Sequence, residues 1–317
     1  MKILVASSIH QSAIDRLSES HEVVCAFGAP TDELARLIVD CDALVFRSGV
    51  QITADVMRAA PNLKLIIRAG SGMDNIDVPF VKQQGYEFVR IPGPGARAVA
   101  ELAFTLMLTL ARKVLIADNL LRKGRWAKHE MTGHLLQGKV LGVVGAGNIG
   151  TVVGQMGHAW GMEVIGCVEH PSEQQAERLA AHGIRMVDCD EVFRSADFVS
   201  IHVPLKESTR YLVDERALSL MKPTAFLVNL ARGGVVDEQA LYRALTEGRL
   251  AGAGLDVHEN EGEGKISPLA ELPNVVLTPH IGAGTFDTQI QIGNIIVETV
   301  ESFVARQAEA AATAQAK

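Results

Sequence analysis

Three glycines at fixed spacing carry the first chemistry legible in this 317-residue chain. Gly145, Gly147 and Gly150 stand in the run GAGNIG at 145–150. The apolar, β-branched run before them, 140–144, suits a strand buried on both faces. After them, Val152, Val153, Met156, Ala159 and Trp160 recur at helical spacing, and Gly161 stands where a C-cap would end the helix. A second apolar run, 162–168, reads as the next strand. In such a unit the first glycine makes the tight turn and the second lets the backbone approach a pyrophosphate. The third lets helix and strand pack closely. The helix N-terminus presents N–H groups and a positive dipole end to phosphates. The unit therefore reads as a dinucleotide site.

A carboxylate some 20 residues past these glycines usually takes ribose hydroxyls and repels a 2′-phosphate. Glu169 stands in that position, and no Arg or Lys lies between Gly150 and Arg178 to welcome an extra phosphate. NAD is the expected cofactor; His170 is the neighbour that could become cationic and bind the phosphate of NADP.

The elements that must position these residues alternate along the chain. Strands are expected at 3–6, 23–27, 43–46, 63–67 and 87–91, and helices at 12–20, 31–39 and 53–60, with Thr31 and Thr53 as N-caps. This rhythm predicts a parallel sheet wrapped by helices. The Pro/Gly stretch at 91–95 reads as a connection between domains. A long apolar-periodic segment at 99–121 follows, one helix leading into another. Its Leu102, Leu106, Met107 and Leu110 read as core or subunit interface. Beyond the nucleotide unit, strands are expected at 185–187, 198–202, 225–229, 252–256 and 275–278. A last helix spans 286–306 and returns toward the first domain, and an Ala/Gln/Glu-rich tail at 308–317 reads as frayed.

Composition narrows the class. A length of 317 residues with 48% hydrophobic content suits two domains. A net charge of −7 without a long basic run argues against nucleic acid or an anionic membrane as partner. The four cysteines, Cys25, Cys41, Cys167 and Cys189, show no CxxC spacing and read as buried thiols, not as a disulfide frame or metal site. No 18-residue apolar run or signal sequence is expected, so the reading is a soluble, cytoplasmic protein that binds no metal.

Eight further motifs, all in one order, resemble the D-isomer-specific, NAD-dependent 2-hydroxyacid dehydrogenase family over roughly 40–305. They are RAGSGMDNID at 68–77, VAE at 99–101, GK at 138–139, HVPL at 202–205, MKP at 221–223, NLARGG at 229–234, GLDV at 254–257 and TPHIG at 278–282. The resemblance implies an α/β protein of two lobes, each a parallel sheet with helices on both faces. A Rossmann-type nucleotide lobe, 98–284, is inserted into a flavodoxin-like substrate lobe, 1–97 plus 285–317, with the reaction in the cleft between them. A homodimer through the 99–121 segment is expected by analogy.

Within this resemblance the roles follow chemically. Reducing a 2-keto acid needs a proton donor for the carbonyl oxygen and a cation for the carboxylate. His280 is the donor, since its pKa lies nearest working pH. Glu261 is similar to the family's carboxylate partner, and should raise the His280 pKa. Arg232 offers a planar fork for the carboxylate. The cofactor set implied is Gly145, Gly147, Asn148, Ile149, Gly150, Glu169, His202, Pro204 and Asp256, with Asp256 meeting the nicotinamide carboxamide. The substrate set is Ser71 and Gly72 through their backbone N–H groups, Arg232, and Arg47 with Arg68 as a phosphate clamp resembling that of phosphoglycerate dehydrogenases. The competing reading makes Arg47 and Arg68 structural ion-pair partners. The chain departs from the pattern at Gly262, where Pro is usual, at His258, where an aromatic is common, and at Gly95 and Ala98. Val168 occupies the usual place of the acidic residue, with Glu169 beside it. The expected substrate is 3-phosphoglycerate or 3-phosphohydroxypyruvate. The alternatives are glyoxylate, hydroxypyruvate or another 2-keto acid, and, in a different class, a dinucleotide-sensing binding protein.

Overall fold

The computed structural model describes residues 1–315 and divides the chain into two units, Met1–Gly95 with the chain from Gly284 onward, and Ala96–Ala283. Elements are numbered in chain order. The first unit holds β1 (Lys2–Val5), β2 (Glu22–Cys25), β3 (Ala43–Phe46), β4 (Leu65–Arg68) and β5 (Glu87–Arg90), in the order β2-β1-β3-β4-β5, every pair parallel. Its helices are α1 (Gln11–Ser18), α2 (Thr31–Leu37), α3 (Ala54–Arg58), α4 (Val78–Gln84) and the C-terminal helix, Phe286–Gln315.

Both faces of this sheet are covered because its central strands β1, β3 and β4 are apolar at nearly every position. Side chains alternate across a strand, so Leu4, Leu44, Phe46 and Ile66 meet Leu34, Ile38, Met57 and Phe80 on one side. Ile3, Val5, Val45 and Ile67 meet Leu17, Ile296, Val300 and Phe303 on the other. The C-terminal helix is thus part of the first unit's core, although the whole second unit, Ala96–Ala283, separates it from β5.

The second unit begins inside α5 (Gly93–Ala111), followed by α6 (Val114–Arg122). Its strands are β6 (Val140–Val144), β7 (Glu163–Cys167), β8 (Arg185–Met186), β9 (Phe198–Ile201), β10 (Phe226–Asn229), β11 (Gly252–Leu255) and β12 (Val275–Leu277). They form one parallel sheet in the order β12-β11-β10-β9-β6-β7-β8. Helices α7 (Asn148–Ala159), α8 (Glu173–Ala180), α9 (Cys189–Ser195), α10 (Glu215–Leu220) and α11 (Glu238–Thr246) connect them. Two apolar layers, one against each face, enclose the sheet. This is the doubly wound order, whose reversal falls between β6 and β9; the first sheet reverses between β1 and β3.

Several local expectations are corrected. The stretch at 91–95 is not a free connection, for α5 starts at Gly93 and the boundary between units falls within its first turn. Proline is tolerated there because first-turn N–H groups have no intrahelical partner. Thr53 caps α3 through Val56 N at 3.4 Å, but Thr31 lies inside α2, whose N-cap is Pro30. Helix α4 was not expected; Asp77 caps it by accepting from Phe80 N at 3.0 Å, and Gly85 ends it at φ +69°. The segment at 99–121 is, as expected, one helix leading into another, α5 giving way to α6 at Lys113, φ +54°. Leu106, Met107 and Leu110 are core residues. Helix α5 is long and apolar enough to cross a membrane by composition, yet 56% of that window is buried within the protein. The tail expected to fray is helical through Gln315; Ala316 and Lys317 lie outside the described residues.

Candidate active site

The glycine turn sits where the second sheet reverses. Gly145 takes φ +89°, and a Cβ on it would stand 2.7 Å from the His202 carbonyl oxygen at the end of β9. Any larger residue would wedge the β6 and β9 ends apart. A Cβ on Gly150 would lie 2.3 Å from the Gly145 oxygen, so α7 can approach its own strand only as glycine. Gly147 differs. It is the N-cap of α7 with no side-chain cap bond, and a Cβ there would meet nothing within 4 Å. Its lack of a side chain serves no internal packing; it leaves the N–H groups at the start of α7, including those of Asn148 and Ile149, approachable by a phosphate.

Other groups around this turn also fit a dinucleotide. His202 is half-buried, and burial lowers its pKa to about 3, so its ring is neutral. Its Nε2 bonds Ser200 Oγ at 2.7 Å, and its buried Nδ1 has no partner among the described residues. The Pro204 carbonyl accepts from Thr209 Oγ1 at 2.6 Å, shaping the loop after His202. Glu169 lies just past β7 with both oxygens engaged, by Lys206 Nζ at 2.7 Å and Ser208 Oγ at 3.4 Å. The Lys206 bond holds its carboxyl below the usual carboxylate range. Sequence reasoning missed Lys206, because no motif ties it to a position 37 residues earlier. Arg178 faces away from this role: its Nη2 donates to the Ala146 oxygen at 2.8 Å and braces the glycine turn from behind.

The strand ends of β10, β11 and β12 bring the proton-transfer groups together. His280 Nδ1 lies 2.9 Å from Glu261 Oε2. The bond to Glu261 raises the His280 pKa above the usual imidazole value; burial and the charge of Arg232 oppose it, and Asp256 adds to it. Burial pushes the Glu261 carboxyl up, but the His280 bond and the His258 N–H at 3.2 Å leave it below its ordinary range. With Nδ1–H committed to Glu261, Nε2 is the nitrogen left to exchange a proton, and 35% of the His280 side chain is exposed. His280 also sits at φ +54°, an unfavoured backbone state for a non-glycine residue.

That strain is held by Asp256. Asp256, expected to meet a ligand amide, is 1% exposed and anchors the loop. Its Oδ1 accepts from Thr278 Oγ1 at 2.6 Å and Ile281 N at 2.8 Å, its Oδ2 from Gly282 N at 2.8 Å, and its carbonyl from His280 N at 2.7 Å. A second anchor, missed from sequence, is Glu238, 4% exposed, which accepts from Glu259 N and Ser267 Oγ at 2.7 Å each. It ties the loop bearing Glu261 to the start of α11. A cavity of about 510 Å³ lies beside this loop, lined by His258, Glu261, Lys265, Thr278 and His280 among others. Arg232 follows β10; Asn229 Oδ1 accepts from Ala231 N and its Nδ2 donates to the Arg232 carbonyl at 3.1 Å, which fixes the turn.

In the first unit the two arginines separate. Arg68 is 4% exposed, donates to Asn75 Oδ1 at 3.3 Å and lies over the Phe46 ring at 5.7 Å; a Cβ on Gly70 would stand 2.3 Å from its Nη1. Asn75 in turn donates to the carbonyls of Arg47 and Val50 at 2.8 Å each. Arg68 therefore supports the loop that presents Ser71 and Gly72. Arg47 is half-buried at the reversal of the first sheet, with its N–H on Ser7 Oγ at 2.9 Å. Burial lowers its pKa, and its side chain has no ion pair among the described residues.

The second unit thus carries a glycine turn at its sheet reversal and a His–Glu pair over neighbouring strand ends. The family described as "D-isomer specific 2-hydroxyacid dehydrogenase, NAD binding domain" matches residues 104–282. A D-3-phosphoglycerate dehydrogenase of Methanocaldococcus jannaschii is 42% identical over 302 residues, 95% of this chain and 57% of that protein. A hydroxypyruvate reductase of Thermotoga maritima is 42% identical over 271 residues, 85% of this chain and 87% of that protein. The solved D-lactate dehydrogenase of Aquifex aeolicus, complexed with NAD and lactic acid, superposes with a TM-score of 0.83 at 30% identity, covering 97% and 96% of the two chains. The chain belongs to the D-isomer-specific 2-hydroxyacid dehydrogenase family. It spans little more than half the length of the phosphoglycerate dehydrogenases it matches.

Proposed function

We propose that this protein interconverts a D-2-hydroxy acid and its 2-keto acid with a nicotinamide cofactor, NAD being the expected one. The single observation that carries the reading is the 2.9 Å His280–Glu261 pair, its imidazole pKa raised, over strand ends shared with Arg232. Gly145, Gly147, Asn148, Ile149, Gly150 and His202 would hold the cofactor, which when bound supplies or accepts the hydride at C2 of the substrate. In reduction, His280 Nε2–H gives its proton to the ketone oxygen, and in oxidation the neutral ring takes it back. Glu261 keeps the ring oriented through Nδ1 and stabilises the imidazolium. Arg232 binds the substrate carboxylate and polarises the neighbouring carbonyl. Asp256 and Glu238 position the two loops and touch no reacting atom.

Arg47, half-buried and without an ion pair, favours a substrate with a second anion, and 3-phosphoglycerate with 3-phosphohydroxypyruvate fits that chemistry. The burial of Arg68 supports the second reading, an unphosphorylated acid such as hydroxypyruvate or glyoxylate. NADH oxidation against a panel of phosphorylated and unphosphorylated 2-keto acids separates the two. Turnover confined to phosphohydroxypyruvate upholds the first, and turnover of hydroxypyruvate at equal kcat/KM overturns it. Helix α6 has no buried residue and exposes Val114, Leu115 and Leu121. This supports a homodimer through that helix, which a monomeric mass in solution would refute.

A further inference from the structure

Two of the four cysteines, scattered in sequence, come together behind the glycine turn. Cys167 is the last residue of β7 and Cys189 the first of α9, and their Sγ atoms lie 2.7 Å apart. Cys167 is buried, while Cys189 is partly exposed, so a small oxidant reaches the pair from one side. The backbone of Cys167 is built into the cradle: its carbonyl accepts from both Gly145 N and Ala146 N at 3.0 Å each. Glu169 follows two residues later. The other thiols share none of this. Cys41 is buried, with its Sγ on the Leu37 carbonyl at 3.3 Å, and Cys25 lies in the first unit.

We propose that Cys167 and Cys189 form a reversible disulfide on exposure to peroxide, and that this bond weakens dinucleotide binding at the Gly145–Gly150 turn. The effect on binding rests on the dinucleotide reading given above. Each step balances. The Cys189 sulfur attacks one peroxide oxygen, the S–O bond forms as O–O breaks, and the departing hydroxide takes the thiol proton to leave as water. The Cys167 sulfur then attacks the sulfenic sulfur, S–S forms as S–O breaks, and the second proton leaves with the second water. Two thiols lose two electrons and one peroxide gains them. Cys189 is the more exposed of the two and so the attacking sulfur, and the bond between the sulfurs holds its pKa below an ordinary thiol's against the effect of burial. Closing the sulfurs to about 2.05 Å pulls the end of β7 toward α9. The Gly145 and Ala146 N–H groups, hung on the Cys167 carbonyl, follow it.

The full-length protein is treated with hydrogen peroxide, alkylated and mapped by peptide mass, and NADH affinity is titrated before, after, and after dithiol reduction. The expected result is a Cys167–Cys189 cross-linked peptide, NADH binding weaker on the order of tenfold, and recovery on reduction. Cys189→Ser and Cys189→Ala, each checked for unchanged Tm, keep full NADH affinity through the treatment. Oxygen adducts without the cross-link, a cross-link that leaves NADH affinity unchanged, or equal loss in the Cys189 variants each overturn the proposal. Failure of the reduced protein to bind NADH would instead remove the dinucleotide reading, independently of the peptide map.

Discussion

The two units are variations on one plan, and they differ in what stands at the sheet reversal. In the second, the β6–β9 reversal is lined by backbone: Gly145 turns, Gly147 leaves the α7 N-terminus open, and His202 stays neutral. In the first, the β1–β3 reversal carries a side-chain cation, Arg47, above a loop held by Arg68 and Asn75. Backbone N–H groups suit a ligand common to a whole family, since they do not vary with side-chain identity. A single guanidinium suits the part of recognition that changes from one substrate to another. His280, Glu261 and Arg232 all lie in the second unit. On the proposed function, chemistry and cofactor belong to that unit, and the choice of substrate to the other.

This division can be broken most severely at His280. His280→Ala should lower kcat by about 10²–10⁴-fold while NADH affinity, read by fluorescence titration, stays within twofold. Retained turnover would end the assignment of chemistry to the second unit. Next come the two glycines of one turn. Gly147→Val should fold with unchanged Tm yet weaken NADH binding by roughly tenfold or more, because its side chain points where the phosphate must come. Gly150→Val should instead lower Tm or abolish folding, because its Cβ would sit 2.3 Å from the Gly145 oxygen.

In the first unit, Arg47→Ala should raise KM for phosphohydroxypyruvate by about tenfold or more and leave hydroxypyruvate unaffected, with kcat little changed. A fall in kcat comparable to that of His280→Ala would collapse the comparison. The pH dependence is gentler. Glu261 holds the His280 pKa up, and reduction needs the imidazolium, so the reductive rate falls as pH rises through that raised pKa. Glu261→Gln removes the largest raising influence, and the fall should move to lower pH. The smallest effect is expected at Lys206. Lys206→Ala frees Glu169 from its ion pair, and the NADPH-to-NADH ratio of dissociation constants should increase a few-fold.

Where the sequence reading succeeded and where it fell short follows from the range of each interaction. The β6–turn–α7 unit is contiguous, so apolar runs and glycine spacing display it completely. The His280–Glu261 pair was legible through motifs that resemble a known family, although the partners stand 19 positions apart. The loop-anchoring bonds of Asp256 were not legible, because its partners, Thr278, Ile281 and Gly282, lie more than 20 residues on. The burial of Arg68 was not legible either, since charge type reveals nothing about burial. The Lys206–Glu169 and Cys167–Cys189 pairs went unseen because each joins the ends of different strands and helices.

By itself the sequence determined the layered parallel α/β class, the glycine turn and the residues able to move a proton. Those properties depend on local periodicity and on residue chemistry, which a linear reading preserves. Tertiary structure alone decided which charged groups are sealed and which are accessible: Asp256 and Glu238 became loop anchors, Arg68 a buried support, and Arg47 an available cation. Burial and pairing are properties of the packed sheet, set by neighbours that the order of residues does not bring together.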